Sequence, residues 1–244
     1  MSLDLWLIPS FFIVAFLYAA VGHGGASGYL ALFSLFSVVP EEMRVSALLL
    51  NCMVSGIAFL MFYRAGHFSW HLTWPFLLAS VPFAWLGGMT HLSSSVYKDL
   101  LSATLFFAAF RLSLNIKSQG TPSLRKIPLF AALPLGGAIG LVSGIVGVGG
   151  GVFLSPILLF KKWASPKAVS ASSALFILVN SLSALLGRFS IGHFRLETSL
   201  PFVLSAFAGG LLGAHLGANH FSGVTLRRIL SAVLIIAALK LVVL

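Results

Sequence analysis

Two glycine clusters are the places where this chain can hold a small charged ligand. The first reads Gly22-His23-Gly24-Gly25-Ala26-Ser27-Gly28, and the second reads Gly144-Ile145-Val146-Gly147-Val148-Gly149-Gly150-Gly151. Glycine lets backbone approach a ligand closely. Unpaired N–H groups at the start of a helix carry the positive end of its dipole, so a helix that begins at such a break suits an anion. The backbone at Gly22, Gly24, Gly25, Gly147, Gly149, Gly150 and Gly151 is therefore the candidate binding surface. Small residues also allow tight helix crossing in membranes, but two matched clusters of this density favour binding.

Four side chains join this candidate site. His23 can donate a hydrogen bond or, when protonated, supply charge to an oxyanion; it can equally be a neutral ring satisfied by a nearby carbonyl. Ser27 can give its hydroxyl to a ligand, although returning it to the helix backbone is the commoner use. Asn51 and Asn180 lie deep in apolar segments, where an unsatisfied amide is costly. Both need partners, either the broken backbone of a neighbouring segment, which is preferred, or the ligand itself. His67 and His193 follow glycines at segment ends and read as interfacial residues.

The elements that must position these groups are membrane helices. Of the 244 residues, 59% are apolar and 8% charged, far below the quarter expected of a soluble domain. Charges and helix stoppers divide the chain into eight apolar regions: 5–39, 43–63, 72–91, 98–116, 128–160, 166–187, 198–219 and 223–244. The first and fifth are the two that glycine interrupts. A flanking piece such as 5–20 would span only about 24 Å of a hydrocarbon core about 30 Å thick, so each reads as a broken helix or a re-entrant hairpin. The fold class is all-α, a polytopic membrane protein with about eight membrane regions. The N-terminus lacks the positive flank of a secretory signal and is expected to stay as the first membrane segment.

Landmarks recur along the chain. Gly22, Gly24 and Gly25 correspond to Gly147, Gly149 and Gly150; Gly66-His67-Phe68 to Gly192-His193-Phe194; Asn51 to Asn180; Leu100-Leu101-Ser102-Ala103 to Ile229-Leu230-Ser231-Ala232. The chain reads as two homologous halves, 1–119 and 120–244, joined near the polar stretch 115–126. Lys and Arg counts give orientation. If all regions cross once, the two sides hold 8 and 7; if the glycine-broken regions return to the side they entered from, the sides hold 10 and 5. The second arrangement predicts an inverted repeat, a cytoplasmic link between the halves and both termini outside. Inverted repeats with broken segments point to a secondary transporter whose site lies where the breaks meet.

The paired breaks, the Gly147-Val148-Gly149-Gly150-Gly151 run followed by Pro156, Asn51 and Asn180 in the next helices, and Arg64-Ala65-Gly66-His67 resemble the sulfite exporter TauE/SafE family over essentially the whole chain. The resemblance implies transport, usually outward, of small sulfur-containing anions such as sulfite, sulfoacetate or related sulfonates across the bacterial inner membrane. It leaves the particular anion open. Val148 stands where the first break has His23, and Gly151 where it has Ala26, so the half-sites are not chemically equivalent.

Other classes fare worse. The net charge of +10 is scattered between apolar blocks, which argues against nucleic acid as a partner and leaves the lipid bilayer and a small anion. No His, Cys or acid cluster recurs at ligand spacing, so no metal or cofactor is expected. Cys52 is alone and reads as a small buried hydrophobe. All five acids, Asp4, Glu41, Glu42, Asp99 and Glu197, fall at segment ends, which disfavours coupling through an internal carboxylate. A monovalent anion leaving a negative interior gains about 2.3 kcal/mol per 100 mV, so export needs no coupling ion. The alternative is a rhomboid-like intramembrane serine protease, with Gly25-Ala26-Ser27-Gly28 around a nucleophile and His215 as base; it requires Ser27 and His215 within hydrogen-bond reach.

Overall fold

Backbone groups at bilayer depth must be paired within their own segment or in a closed barrel, and this chain takes the helical solution. A computed structural model describes residues 3–35, 40–113, 127–161, 163–192 and 200–220. Among these residues there are nine helices and no strand: α1 (Leu3–Ala20), α2 (Ala26–Leu35), α3 (Pro40–Arg64), α4 (Trp70–Met89), α5 (Ser94–Ser113), α6 (Leu129–Val146), α7 (Gly151–Phe160), α8 (Pro166–Ser190) and α9 (Leu200–Asn219). Five helices, α3, α4, α6, α8 and α9, are long and apolar enough to cross a membrane. The region expected at 223–244, the polar stretch 115–126, His193, and the match of Leu100–Ala103 to Ile229–Ala232 fall outside the described residues.

Both glycine-rich regions are broken helices, and the breaks are narrower than the glycine clusters. They occupy 21–25 and 147–150; Gly144 still belongs to α6, and Ala26 and Gly151 already begin α2 and α7. In each region the first arm has 18 residues, about 27 Å, and the second 10, about 15 Å. The first arm is thus longer than the sequence reading assumed, and the second reaches about half the bilayer. Helix lengths then recur in order: α3 and α8 have 25 residues, α4 and α9 have 20.

Each first arm ends the same way. Gly22 and Gly147 adopt left-handed backbone, with φ of 75° and 90°. That conformation carries the chain out of the helix while the following N–H returns to it: His23 N–H bonds the Tyr18 carbonyl at 2.9 Å, and Val148 N–H bonds the Ser143 carbonyl at 3.2 Å. A side chain at either position would be strained.

Packing interleaves the early and late parts of the chain. On α9, Gly209, Gly213 and Gly217 lie against the carbonyls of Phe12, Phe16 and Ala20 on α1, so the two helices run parallel. On α6, Gly136, Gly140 and Gly144 lie in the same way against Phe76, Ser80 and Ala84 of α4, again parallel. Between these pairs α3 and α8 run antiparallel: Val45 and Leu48 cluster with Ala184 and Leu185, Asn51 meets Ser181, and Phe62 clusters with Ala171. Phe11 ties α1 to α2 and α9, stacked between Tyr29 at 5.5 Å and Phe202 at 5.0 Å.

The glycine contacts make a test within one helix. In Gly140→Ala the new methyl would press into the Ser80 carbonyl, a rigid backbone group, whereas in Gly137→Ala it meets the Phe83 ring at 3.4 Å and Ala79 Cβ at 3.8 Å, both side chains at ordinary contact distance. Thermal unfolding of the purified protein in detergent should show Gly140→Ala destabilised by about 1–3 kcal/mol. Gly137→Ala should be neutral or slightly stabilised through helix propensity.

Candidate functional site

Asn51 holds the two breaks together. Its Oδ1 accepts from the N–H of Ala26, the first residue of α2, at 3.1 Å. Its Nδ2 donates to Ser181 Oγ on α8 at 2.8 Å and, more weakly, to the Val148 carbonyl of the second break at 3.5 Å. One amide therefore serves a helix start in one break and a carbonyl in the other. Glycine is required on both sides: a Cβ at Gly24 would collide with Asn51 Oδ1, and one at Gly149 with Asn51 Nδ2 and Ser181 Oγ.

A small cavity lies at this junction. His23, Gly24, Gly25, Ser27 and Asn51 line it. Tyr18, Ala26, Val148, Val152 and Ile177 complete the wall. The space open to the centre of a water molecule is about 10 Å³, room for roughly one water. Gly22, Gly147, Gly149, Gly150, Gly151 and Asn180 are not on the wall.

The polar side chains on the wall are engaged. Tyr18 and Ser27 share a hydroxyl–hydroxyl bond of 2.7 Å across the first break, so the Ser27 hydroxyl faces a phenol instead of its own helix. His23 Nδ1 donates to the Val21 carbonyl at 3.1 Å, while Nε2 lies 3.1 Å from Ser155 Oγ on α7, linking the first break to the second half of the chain. Ser155 in turn lies 2.8 Å from Ser173 Oγ on α8.

Asn180 does not mirror Asn51. Its Nδ2 bonds back to the Phe176 carbonyl in its own helix at 2.8 Å, and its buried Oδ1 has no hydrogen-bond partner among the described residues. The start of α7 has no side-chain cap. The carbonyl ends of the first arms also differ: Ser170 Oγ donates to the Val21 carbonyl at 3.0 Å, whereas Arg44 Nη2 donates to the Gly144 carbonyl at 3.3 Å.

Arg44 and Arg188 correct the sequence reading, which counted both as loop charges. Their exposures are 3% and 1%, inside α3 and α8. Arg44 lies over the Tyr97 ring, 5.4 Å from its centroid, and also donates to the Thr90 carbonyl at 3.4 Å; Tyr97 donates to the Val146 carbonyl at 3.1 Å. Cation and phenol together dress the negative end of α6. A usable signal existed, since Arg44 stands within the apolar region assigned to 43–63.

Ser27 and His215 are not brought together. Ser27 is buried at the junction, whereas His215 is exposed on α9 with its ring toward His220 at 6.5 Å. His67 is partly exposed at the turn after α3, its ring near Phe62 at 6.3 Å.

Broken helices that meet inside a bundle of membrane-length helices define a multi-pass membrane transporter. The chain belongs to the family described as sulfite exporter TauE/SafE, whose model matches residues 7–241. It is 41% identical over 239 residues to the probable membrane transporter protein y4hK of Sinorhizobium fredii (strain NBRC 101917 / NGR234), covering 96% of each chain. A 104-residue stretch, 43% of this chain and 38% of the relative, is 28% identical to the probable membrane transporter protein YunE of Bacillus subtilis (strain 168). No solved structure matches the chain.

The two asparagines should respond differently to truncation. Asn51→Ala strands the Ala26 N–H and removes the tie to Val148 and Ser181, a loss of about 1–3 kcal/mol. Asn180→Ala removes one bond to a carbonyl already serving its helix and should cost less than about 1 kcal/mol. Paired thermal melts in detergent check the order.

Proposed function

We propose that this protein is a secondary transporter that carries small sulfur-containing anions, sulfite, sulfoacetate or related sulfonates, outward across the bacterial inner membrane. The anion binds where the two glycine-rich breaks meet. The observation that carries this reading is the convergence of both breaks on Asn51 beside one cavity, with the starts of α2 and α7 at its edge. Two helix N-termini supply positive potential without a fixed charge. Among the described residues no carboxylate borders the cavity to oppose an anion. The family description names sulfite, which agrees in charge.

Alternating access follows from the cavity's size. Room for about one water is too little for an oxyanion, so the cavity must widen to load and release one. Movement of one half, 1–119, against the other, 120–244, would do so. Support for inverted halves comes from α3 and α8, which occupy corresponding places and run antiparallel while α1 with α9 and α6 with α4 run parallel. That combination fits broken regions that return to their side of entry. The charge count agrees: Arg44 and Arg188, held inside the protein, both fall in the group of five, and removing them leaves ten against three.

Two measurements test the reading. A thermal-shift panel of sulfite, sulfoacetate, taurine, thiosulfate and sulfate should show stabilisation by at least one anion, and efflux of a dianion such as sulfoacetate from reconstituted vesicles should follow an imposed potential. Stabilisation by none, or efflux indifferent to potential, rejects it. Orientation is tested in a Cys52→Ser background: an impermeant maleimide applied to whole cells should label Ser93→Cys, in the α4–α5 turn, and spare Gly66→Cys, in the α3–α4 turn.

A further inference from the structure

His23 is built to hold a proton. Nδ1 faces the Val21 carbonyl, which can only accept, so Nδ1 carries a hydrogen. Nε2 faces Ser155 Oγ, and the single hydrogen of that hydroxyl has three acceptors within reach: Nε2 at 3.1 Å, the Gly151 carbonyl at 2.8 Å and Ser173 Oγ at 2.8 Å. Ser173 Oγ, 2.8 Å from Ser155 Oγ, can donate to it in either case. With a neutral ring, Ser155 donates to Nε2. With a protonated ring, Nε2–H donates to Ser155 Oγ and the hydroxyl turns to the Gly151 carbonyl. Rotation of one hydroxyl therefore satisfies both protonation states, and no heavy atom moves.

The surroundings decide when the proton binds. Histidine titrates near neutrality when unperturbed. The elements around His23 contribute Tyr18 from α1, the uncharged amide of Asn51 from α3, Ser155 from α7, and Ser170 and Ser173 from α8. The charge nearest the start of α8 is Lys167, whose Nζ is held by the Ala218 carbonyl at 2.9 Å. Helix starts at α2 and α7 add positive potential, which opposes a second positive charge in an empty cavity. An anion in the cavity reverses that balance. Proton and anion each favour the other's binding, and the coupling is reciprocal.

We propose that His23 is a proton site coupled to the anion site, so that the translocated unit is one anion together with one proton. This rests on the reading of the break junction as the anion site. On loading, Nε2 takes a proton from water entering with the anion; on release, the proton returns to water and Ser155 donates to the ring again. A dianion carried this way moves one net negative charge.

The test uses sulfoacetate, whose two acid groups stay ionised across the neutral range. Binding to the purified protein is measured by calorimetry at about pH 6 and about pH 8, with proton uptake followed by an indicator dye in weak buffer. We expect binding about tenfold tighter at the lower pH, accompanied by proton uptake. His23→Gln should bind more weakly with an affinity ratio near one. Ser155→Ala removes the acceptor of the charged Nε2–H, so its pH dependence should move to lower pH. Equal affinity at both pH values without proton uptake, or a wild-type ratio in His23→Gln, overturns the proposal and leaves the anion reading standing. Absence of binding at either pH overturns the anion reading and this one with it. Should His23→Gln fail to fold, wild-type proton uptake and the Ser155→Ala shift decide.

Discussion

A broken helix inside a membrane leaves peptide groups that water cannot reach, and something in the protein must pair with them. Here the central answer is one amide. Asn51 reaches from α3 to the start of α2 and to the carbonyl side of the second break, and its contact with Ser181 ties that junction to α8. The glycines at 24 and 149 follow from this bond as much as from any ligand, because only glycine lets both breaks come so close to a single side chain. The cavity inherits its position from the same constraint.

Two breaks with nearly the same letters are satisfied by different means. The first arm of the first break ends on a serine hydroxyl, that of the second on a guanidinium backed by a phenol. Asn51 caps a helix, while Asn180 bonds within its own and leaves a buried carbonyl oxygen over. In the proposed inversion of the halves, exchange of these two roles would supply a second arrangement of the same bundle.

Much of this was legible in the residues. Apolar block lengths located the helices, most of them to within a few positions, and the glycine runs located both breaks. Asn51 stood out because an amide deep in an apolar segment needs a partner. What escaped has physical reasons. Tyr18, Val152 and Ile177 face the cavity through tertiary packing, and an apolar residue that lines a site looks like one that fills a core. Arg44 and Arg188 sit at segment ends, where charge normally marks a loop; contacts with α4, α5 and α6 reveal Arg44 as interior, and burial reveals Arg188. The different uses of Asn51 and Asn180 depend on which groups the tertiary packing brings within reach, and no linear pattern records that.

The pairing of α1 with α9 bears on how the protein is made. The carbonyls of Phe12, Phe16 and Ala20 form the seat for glycines at 209, 213 and 217, so α1 waits for α9 to be made before this partner exists. The α4–α6 pair closes much earlier, bridging the two halves midway through synthesis. A nascent chain stopped before α9 therefore leaves the α1 seat without the glycines that cover it.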